Sequence, residues 1–334
     1  MAKTILHGTI PESSAGLRLD QALAQLFDTY SRSRLTRWLK AGQVRVDGGI
    51  RRGRDKVHGG ERVVIEAELE EQTDWQAEAL PLDIVYKDAE ILVIDKPAGQ
   101  VVHPAAGNPA GTLVNALLHH DPDLARLPRA GIVHRLDKDT SGLLVVARTL
   151  TAQKSLVEQL QAHRMRREYQ AIATGVITAG GTIDAPIGRH PVQRKRMAVT
   201  PRGKPAVTHY RVSERFRVHT WIRCSLETGR THQIRVHLAH LRHPLLGDPV
   251  YGSRLRLPRD CSEALAGALR RFRRQALHAG RLGLAHPVSG EFLEWQSPLP
   301  ADMRELIELL AEDALAAGSQ EDAQDGWSLE SLDE

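Results

Sequence analysis

GIVHRLDKDTSGLLVVA, residues 131–147, sets His134, Arg135, Asp137, Lys138, Asp139 and Thr140 between two apolar runs. Short runs rich in Ile, Leu and Val, bounded by polar residues, predict buried strands. A loop that emerges from buried strands can hold a carboxylate rigidly and still leave it open to a substrate, so this stretch is the candidate site. Composition alone is met equally well by a polar turn joining two strands, and the surrounding chain has to decide.

Outward from this stretch, strand-like runs ILVID (91–95), YQAIAT (169–174) and WIRCSL (221–226) alternate irregularly with helical spacing, one helix being predicted over 152–163. Irregular alternation predicts an α+β domain with a mixed, largely antiparallel sheet and flanking helices, not a regular βαβ series. Pro-Val-Ser-Gly at 287–290 predicts a hairpin turn. This larger domain is placed at 81–312. Before it, residues 66–80 hold six acidic residues and no basic ones, and 67–80 is read as a linker.

Residues 17–66 form a small unit. Leu19, Leu23, Leu26 and Phe27 recur at helical spacing, and a second helix over Arg32–Ala41 has Ser31 as its cap and Gly42 as its stop. Leu35, Trp38 and Leu39 share one face of it, leaving Arg34, Arg37 and Lys40 to project elsewhere. QVRVDGG (43–49) reads as a strand entering an Asp-Gly turn, followed by Arg51, Arg52, Arg54 and Lys56 and the strand RVVIE. Residues 1–16 are taken as an extension, and 313–334 as an acidic tail without regular structure.

The formal charge of +4 averages two unlike parts. All ten acidic residues after Arg304 lack a basic counterpart, so residues 1–304 carry 45 basic against 31 acidic residues, a net of +14. A body so basic attracts polyanions. Two cysteines are too few for a disulfide framework or a Cys-based zinc site, which fits a reducing cytoplasm. His232 and His237 match no zinc-ligand spacing. No apolar run approaches the roughly 20 residues of a membrane span, and the first residues lack a signal-peptide pattern. A cytoplasmic protein without membrane partners is expected.

HRLDKDTSG (134–142) resembles the signature of the RluA family of pseudouridine synthases. YKDAEILVIDKPAGQVVHP (86–104) and LETGRTHQIRVHLAHLRHPLLGDPVYG (226–252) match that family in the same order. SRSRLTRWLKAGQVRVDGG (31–49) and KVHGGERVVIE (56–66) resemble the S4 RNA-binding domain. The resemblance implies that Asp137 is the catalytic aspartate, that Arg235 pairs with it, and that Tyr169, in REYQAIA, is the active-site tyrosine, whose ring stacks on the target base and whose hydroxyl is a candidate for the final C5 deprotonation. It further implies that Arg135, with His134 beside it, contacts RNA while the target nucleotide is flipped out. In the S4-like unit it implies RNA contacts from Arg32, Arg34, Arg37, Lys40 and Arg45. Neither cofactor nor metal is implied.

Within the family, PRAGIVHRLDKDTSG (128–142) and AVTHYR (206–211) look like the D-type enzymes, which act on the helix 69 hairpin of 23S ribosomal RNA. The partner expected is therefore large-subunit ribosomal RNA, in a precursor or an assembled subunit, met by a monomeric enzyme. Two alternatives stand beside this: a C-type ribosomal or a tRNA-directed synthase of the same family, and a non-catalytic S4 RNA-binding protein. Loss of Asp137, Tyr169 or Arg235 would mark the last, and all three are present.

Overall fold

The computed structural model describes residues 3–27, 30, 32–68, 75–104, 108–193, 196–252 and 254–328, without the side chains of 3, 4, 32–34, 68 and 318–328. In the N-terminal unit, β1 (Lys3–Thr9), α1 (Leu19–Leu26), α2 (Arg32–Lys40), β2 (Val44–Val46) and β3 (Arg62–Glu68) follow in order. The three strands form one antiparallel sheet in the order β1-β3-β2. Leu19 and Leu23 of α1 pack with Leu35, Trp38 and Leu39 of α2 over Val44, Val63 and Ile65, as the helical and alternating patterns require. The expected extension is thus corrected in part. KTILHGT pairs along its whole length with β3, from Lys3 opposite Glu68 to Thr9 opposite Arg62.

The larger unit contains β4 (Ile84–Lys87), β5 (Ile91–Lys96), α3 (Leu113–His120), β6 (Ser141–Ala147), α4 (Leu150–Gln161) and β7 (Arg166–Thr174). After these come β8 (Gly181–Asp184), β9 (Ile187–Arg189), β10 (Met197–Val199), β11 (Val207–Arg215), β12 (His219–Leu226) and α5 (Gln233–His240). The chain continues through α6 (Glu263–Arg271), β13 (Leu277–Ala285), β14 (Phe292–Gln296) and α7 (Ala301–Ser328). Its main sheet runs β4-β5-β6-β13-β7-β12-β11-β8, with β14 also on β13, and β9 pairs with β10 separately. Only β6–β13 is parallel among these described pairs, so the expected mixed, largely antiparallel α+β fold is observed.

The linker's described end, from Trp75, docks on α3: the Asn115 side chain donates to Gln76 O at 2.7 Å, and Glu78 N donates to Asn115 O at 3.0 Å. Residues 69–74 of the expected linker lie outside the described residues. The expected tail without structure is corrected too, because α7 runs unbroken past residue 313 to Ser328. The stretch LIELLAEDALAA (306–317) consists almost wholly of strong helix formers, and their propensity outweighs the acidic charge.

The candidate loop lies where β6 meets β13. Ser141 stands opposite His278 and Gly142 opposite Ala279. Gly142 has φ +113°, and a Cβ there would fall 2.3 Å from Ala279 O and 2.6 Å from its N. Only glycine permits that approach. Gly142→Ala is therefore expected to lower stability by about 3 kcal/mol or more, through backbone strain and overpacking together. The denaturation midpoint checks this; an unchanged midpoint would contradict the reading of the junction.

Candidate active site

The Asp137 loop is held by its backbone. Thr140 N donates to Asp137 O at 3.1 Å, Gly99 N to Lys138 O at 2.9 Å, and Arg274 Nη1 to Asp139 O at 3.3 Å. Lys96, fully buried at the end of β5, donates Nζ to Pro97 O (2.7 Å), Gln100 O (3.0 Å) and Lys138 O (3.0 Å). Burial pushes its pKa down to about 8, against the raising influence of Asp139 and Asp137, so the ammonium stays charged at neutral pH. Three protons meet three carbonyls, which fixes the loop to the end of the preceding strand.

This loop directs Asp137 into a cleft of about 830 Å³, where its side chain retains 16% exposure. Arg235 reaches it from α5, with Nη1 2.9 Å from Asp137 Oδ2. The other edge of the guanidinium is occupied: Nε donates to Asp248 Oδ2 at 2.7 Å and Nη2 to Asp248 Oδ1 at 2.8 Å. Asp248 is fully buried, and its Oδ1 also accepts from the backbone N–H groups of Val250 (2.8 Å) and Tyr251 (3.0 Å). Burial alone would raise its pKa; the Arg235 fork and these amides outweigh burial and hold it below the usual carboxylate value. Arg235 is correspondingly held protonated against its own burial.

The Tyr251 ring stacks against this arginine, with the guanidinium carbon 5.1 Å from the ring centroid. The Tyr251 hydroxyl accepts from Met197 N at 2.9 Å and bonds His232 Nδ1 at 2.8 Å. His232 Nε2 stands 3.7 Å from Asp137 Oδ1, too far for a hydrogen bond. Burial lowers the His232 pKa against the raising influence of Asp137.

Tyr169, on β7 opposite Cys224 of β12, lines the same cleft. Its hydroxyl has no hydrogen-bond partner among the described residues, and burial raises its pKa, so it meets a ligand as a neutral phenol. Arg135 is exposed on the cleft wall without a protein partner among the described residues. His134 also lines the cleft, but its Nε2 accepts from Val145 N at 3.1 Å, and burial pushes its pKa down to about 3. A neutral, bonded imidazole anchors the loop to β6.

The structure thus brings Asp137, Tyr169, Arg235, Arg135 and His134 to one cleft. Arg37, Lys40 and Arg45 are exposed on the N-terminal unit, and none of them lines that cleft. The side chains of Arg32 and Arg34 lie outside the description. Sequence reasoning passed over Asp248, Tyr251 and Lys96 as functional residues, although all three fall inside the long matched segments. Among the described residues no group of three or more His, Cys, Asp or Glu is placed to hold a metal, and no helix is long and apolar enough to cross a membrane.

Residues 90–240 match the family model of RNA pseudouridylate synthases, and residues 17–63 match that of the S4 domain. The chain is 58% identical over 309 residues to ribosomal large subunit pseudouridine synthase D of Escherichia coli K12, covering 92% of this chain and 95% of that protein. To the enzyme of the same name from Pseudomonas aeruginosa it is 60% identical over 304 residues, covering 91% and 95%. The solved structure of human RNA pseudouridylate synthase domain containing 1 superposes with a TM-score of 0.51 at 28% identity, covering 66% of this chain and 85% of that one. At such identity over nearly the whole length, with an S4 domain ahead of the cleft, the chain belongs to the RNA pseudouridylate synthase family.

Proposed function

We propose that this RNA pseudouridine synthase isomerises uridines in large-subunit ribosomal RNA, in the helix 69 hairpin, with Asp137 as its catalytic carboxylate. The observation that carries the proposal is Asp137, the single carboxylate lining the cleft among the described residues, aimed by an arginine that a buried partner holds from behind. The names of the bacterial relatives support the RNA, and the basic body and the S4 domain support a structured polyanion as substrate.

Pseudouridine formation breaks the N1–C1′ bond, turns the uracil and joins C1′ to C5; C5 loses a proton and N1 gains one. Asp137 serves this by trapping or stabilising the electron-poor C1′, as a retaining glycosidase carboxylate does, or by taking the ribose 2′ proton. Either route needs a carboxylate fixed in direction and a site closed to water, so that uracil and not hydroxide captures the sugar. Arg235 is shared between two carboxylates, so its charge is offset by Asp248 before it reaches Asp137. The carboxylate is oriented without being fully neutralised.

The Tyr169 ring offers the surface on which uracil stacks and turns. Arg135 fills the gap left in the RNA stack by the extruded nucleotide, whose unstacking costs on the order of a few kcal/mol. His134 stands behind it in the loop, and Arg32, Arg34, Arg37, Lys40 and Arg45 supply phosphate contacts from the S4 domain.

Asp137→Asn is expected to abolish release of tritium from C5-labelled uridine in this RNA while affinity stays within about threefold, since the change removes charge and little volume. Retention of a tenth of the wild-type rate would remove Asp137 from its role, and a cell lacking the gene but keeping every helix 69 pseudouridine would remove the RNA assignment. Asp248→Asn is expected to lower the single-turnover rate by about 100-fold, because loss of one charge from the buried pair frees the Arg235 fork. A rate within threefold of wild type would show that Arg235 is aimed by other contacts.

A further inference from the structure

Three Lys or Arg residues are buried among the described residues: Lys96, Arg167 and Arg235. Lys96 is saturated by three carbonyls and Arg235 by two carboxylates. Arg167 has neither. Only 7% exposed, it sits on β7 two residues before Tyr169, on the same face of the strand, and lines the cleft. Its Nη2 donates to Glu227 O at 3.0 Å and more weakly to Leu226 O at 3.4 Å. Its Nε is buried without a partner, and Nη1 has none among the described residues.

The nearby carboxylates are engaged elsewhere. Glu168 points to the other face and pairs with Arg166, and the Glu227 carboxylate pairs with His209. Gly229 faces the guanidinium, where a Cβ would fall 2.8 Å from Arg167 Nη1. Any other residue at 229 would press on the open end of the fork. A buried cation left without an anion is costly in a free protein, and such costs are tolerated where a ligand completes the site.

We propose that Arg167 is a binding subsite for one phosphate of the substrate RNA, next to the target nucleotide. The Tyr169 hydroxyl lies within electrostatic reach of both Asp137 and Arg167. For a nucleotide with C1′ at Asp137 and its base on Tyr169, Arg167, two residues along the same strand face and in the same cleft, is then the cation assigned to a flanking phosphate. Nη1, the donor left open beside Gly229, can give one phosphate oxygen a charge-assisted hydrogen bond that no group among the described residues accepts. The assignment deepens the proposed function and rests on its placing of the nucleotide in this cleft.

The test uses full-length enzyme and RNAs carrying one neutral methylphosphonate, at the phosphate 5′ or 3′ of the target uridine, each compared with unmodified RNA. For wild type, one of the two substitutions is expected to lower affinity by about 10-fold or more, the loss of a charge-assisted contact. Arg167→Met is expected to bind unmodified RNA weaker by a similar factor, to be nearly indifferent to that same methylphosphonate, and to melt at the same or a higher temperature, since an unpaired buried charge has been removed. Arg167→Lys keeps the charge and should regain part of the discrimination. Equal sensitivity of wild type and Arg167→Met to both methylphosphonates would overturn the subsite, as would an Arg167→Met protein that melts lower or fails to fold. Failure of the underlying reading shows separately, as turnover that survives Asp137→Asn, because the phosphate arm is an affinity ratio and needs no chemistry.

Discussion

The guanidinium of Arg235 is the constraint on which the site depends. Two of its donors are fixed on Asp248 and a third on Asp137, so the direction of the Asp137 carboxylate is inherited from a residue with no access to the cleft. Burying such charges costs several kcal/mol per ion before pairing, and pairing offsets that cost only when every lone pair and proton is used. Here Asp248 Oδ1 accepts from two backbone amides in addition to the arginine. The network contributes orientation more than stability. What the fold gains is a carboxylate that does not have to search for its geometry when RNA arrives.

The sheet explains why these groups meet. Asp137 leaves through a loop that feeds β6, Tyr169 lies on β7, and Arg235 opens α5 just after β12. The strand β13 enters between β6 and β7, and its parallel contact with β6 at Gly142 brings the loop to the end of the sheet. Lys96, from the neighbouring β5, then ties the loop's carbonyl from below. Around that fixed centre the cleft is cationic: Arg129, Arg135, Arg167 and Arg230 line it, with Asp137 as the only acidic lining residue among those described. Such a field draws a polyanion toward the Asp137 carboxylate.

Much of this was legible in the chain. Strand runs such as ILVID and YQAIAT fall within β5 and β7, and the helical spacing of Leu19, Leu23, Leu35 and Leu39 predicts the packed pair α1 and α2. Asp137 stands out because charge packed between apolar runs is unusual. Asp248 does not stand out: its partner is 13 residues away, across a helix and a turn whose closure no local pattern reports. Arg167 and Arg166 look alike in sequence, yet strand alternation sends one into the cleft and the other to surface ion pairs with Glu168 and Glu294. KTILHGT reads as an extension because its partner β3 lies more than fifty residues on, and the acidic end of the chain reads as unstructured because charge masks helix propensity.

Arg235 aims Asp137 by bridging it to Asp248, and most of the surrounding structure serves that geometry. Arg235→Lys tests it, because an ammonium keeps the positive charge but cannot span two carboxylates with fixed geometry. The measurement is the single-turnover rate of isomerisation at saturating enzyme, with RNA affinity measured alongside. A rate lowered about 100-fold at unchanged affinity is the predicted result, the scale expected of a misdirected catalytic group. A lysine enzyme that turns over at the wild-type rate would contradict the account, since charge alone would then suffice.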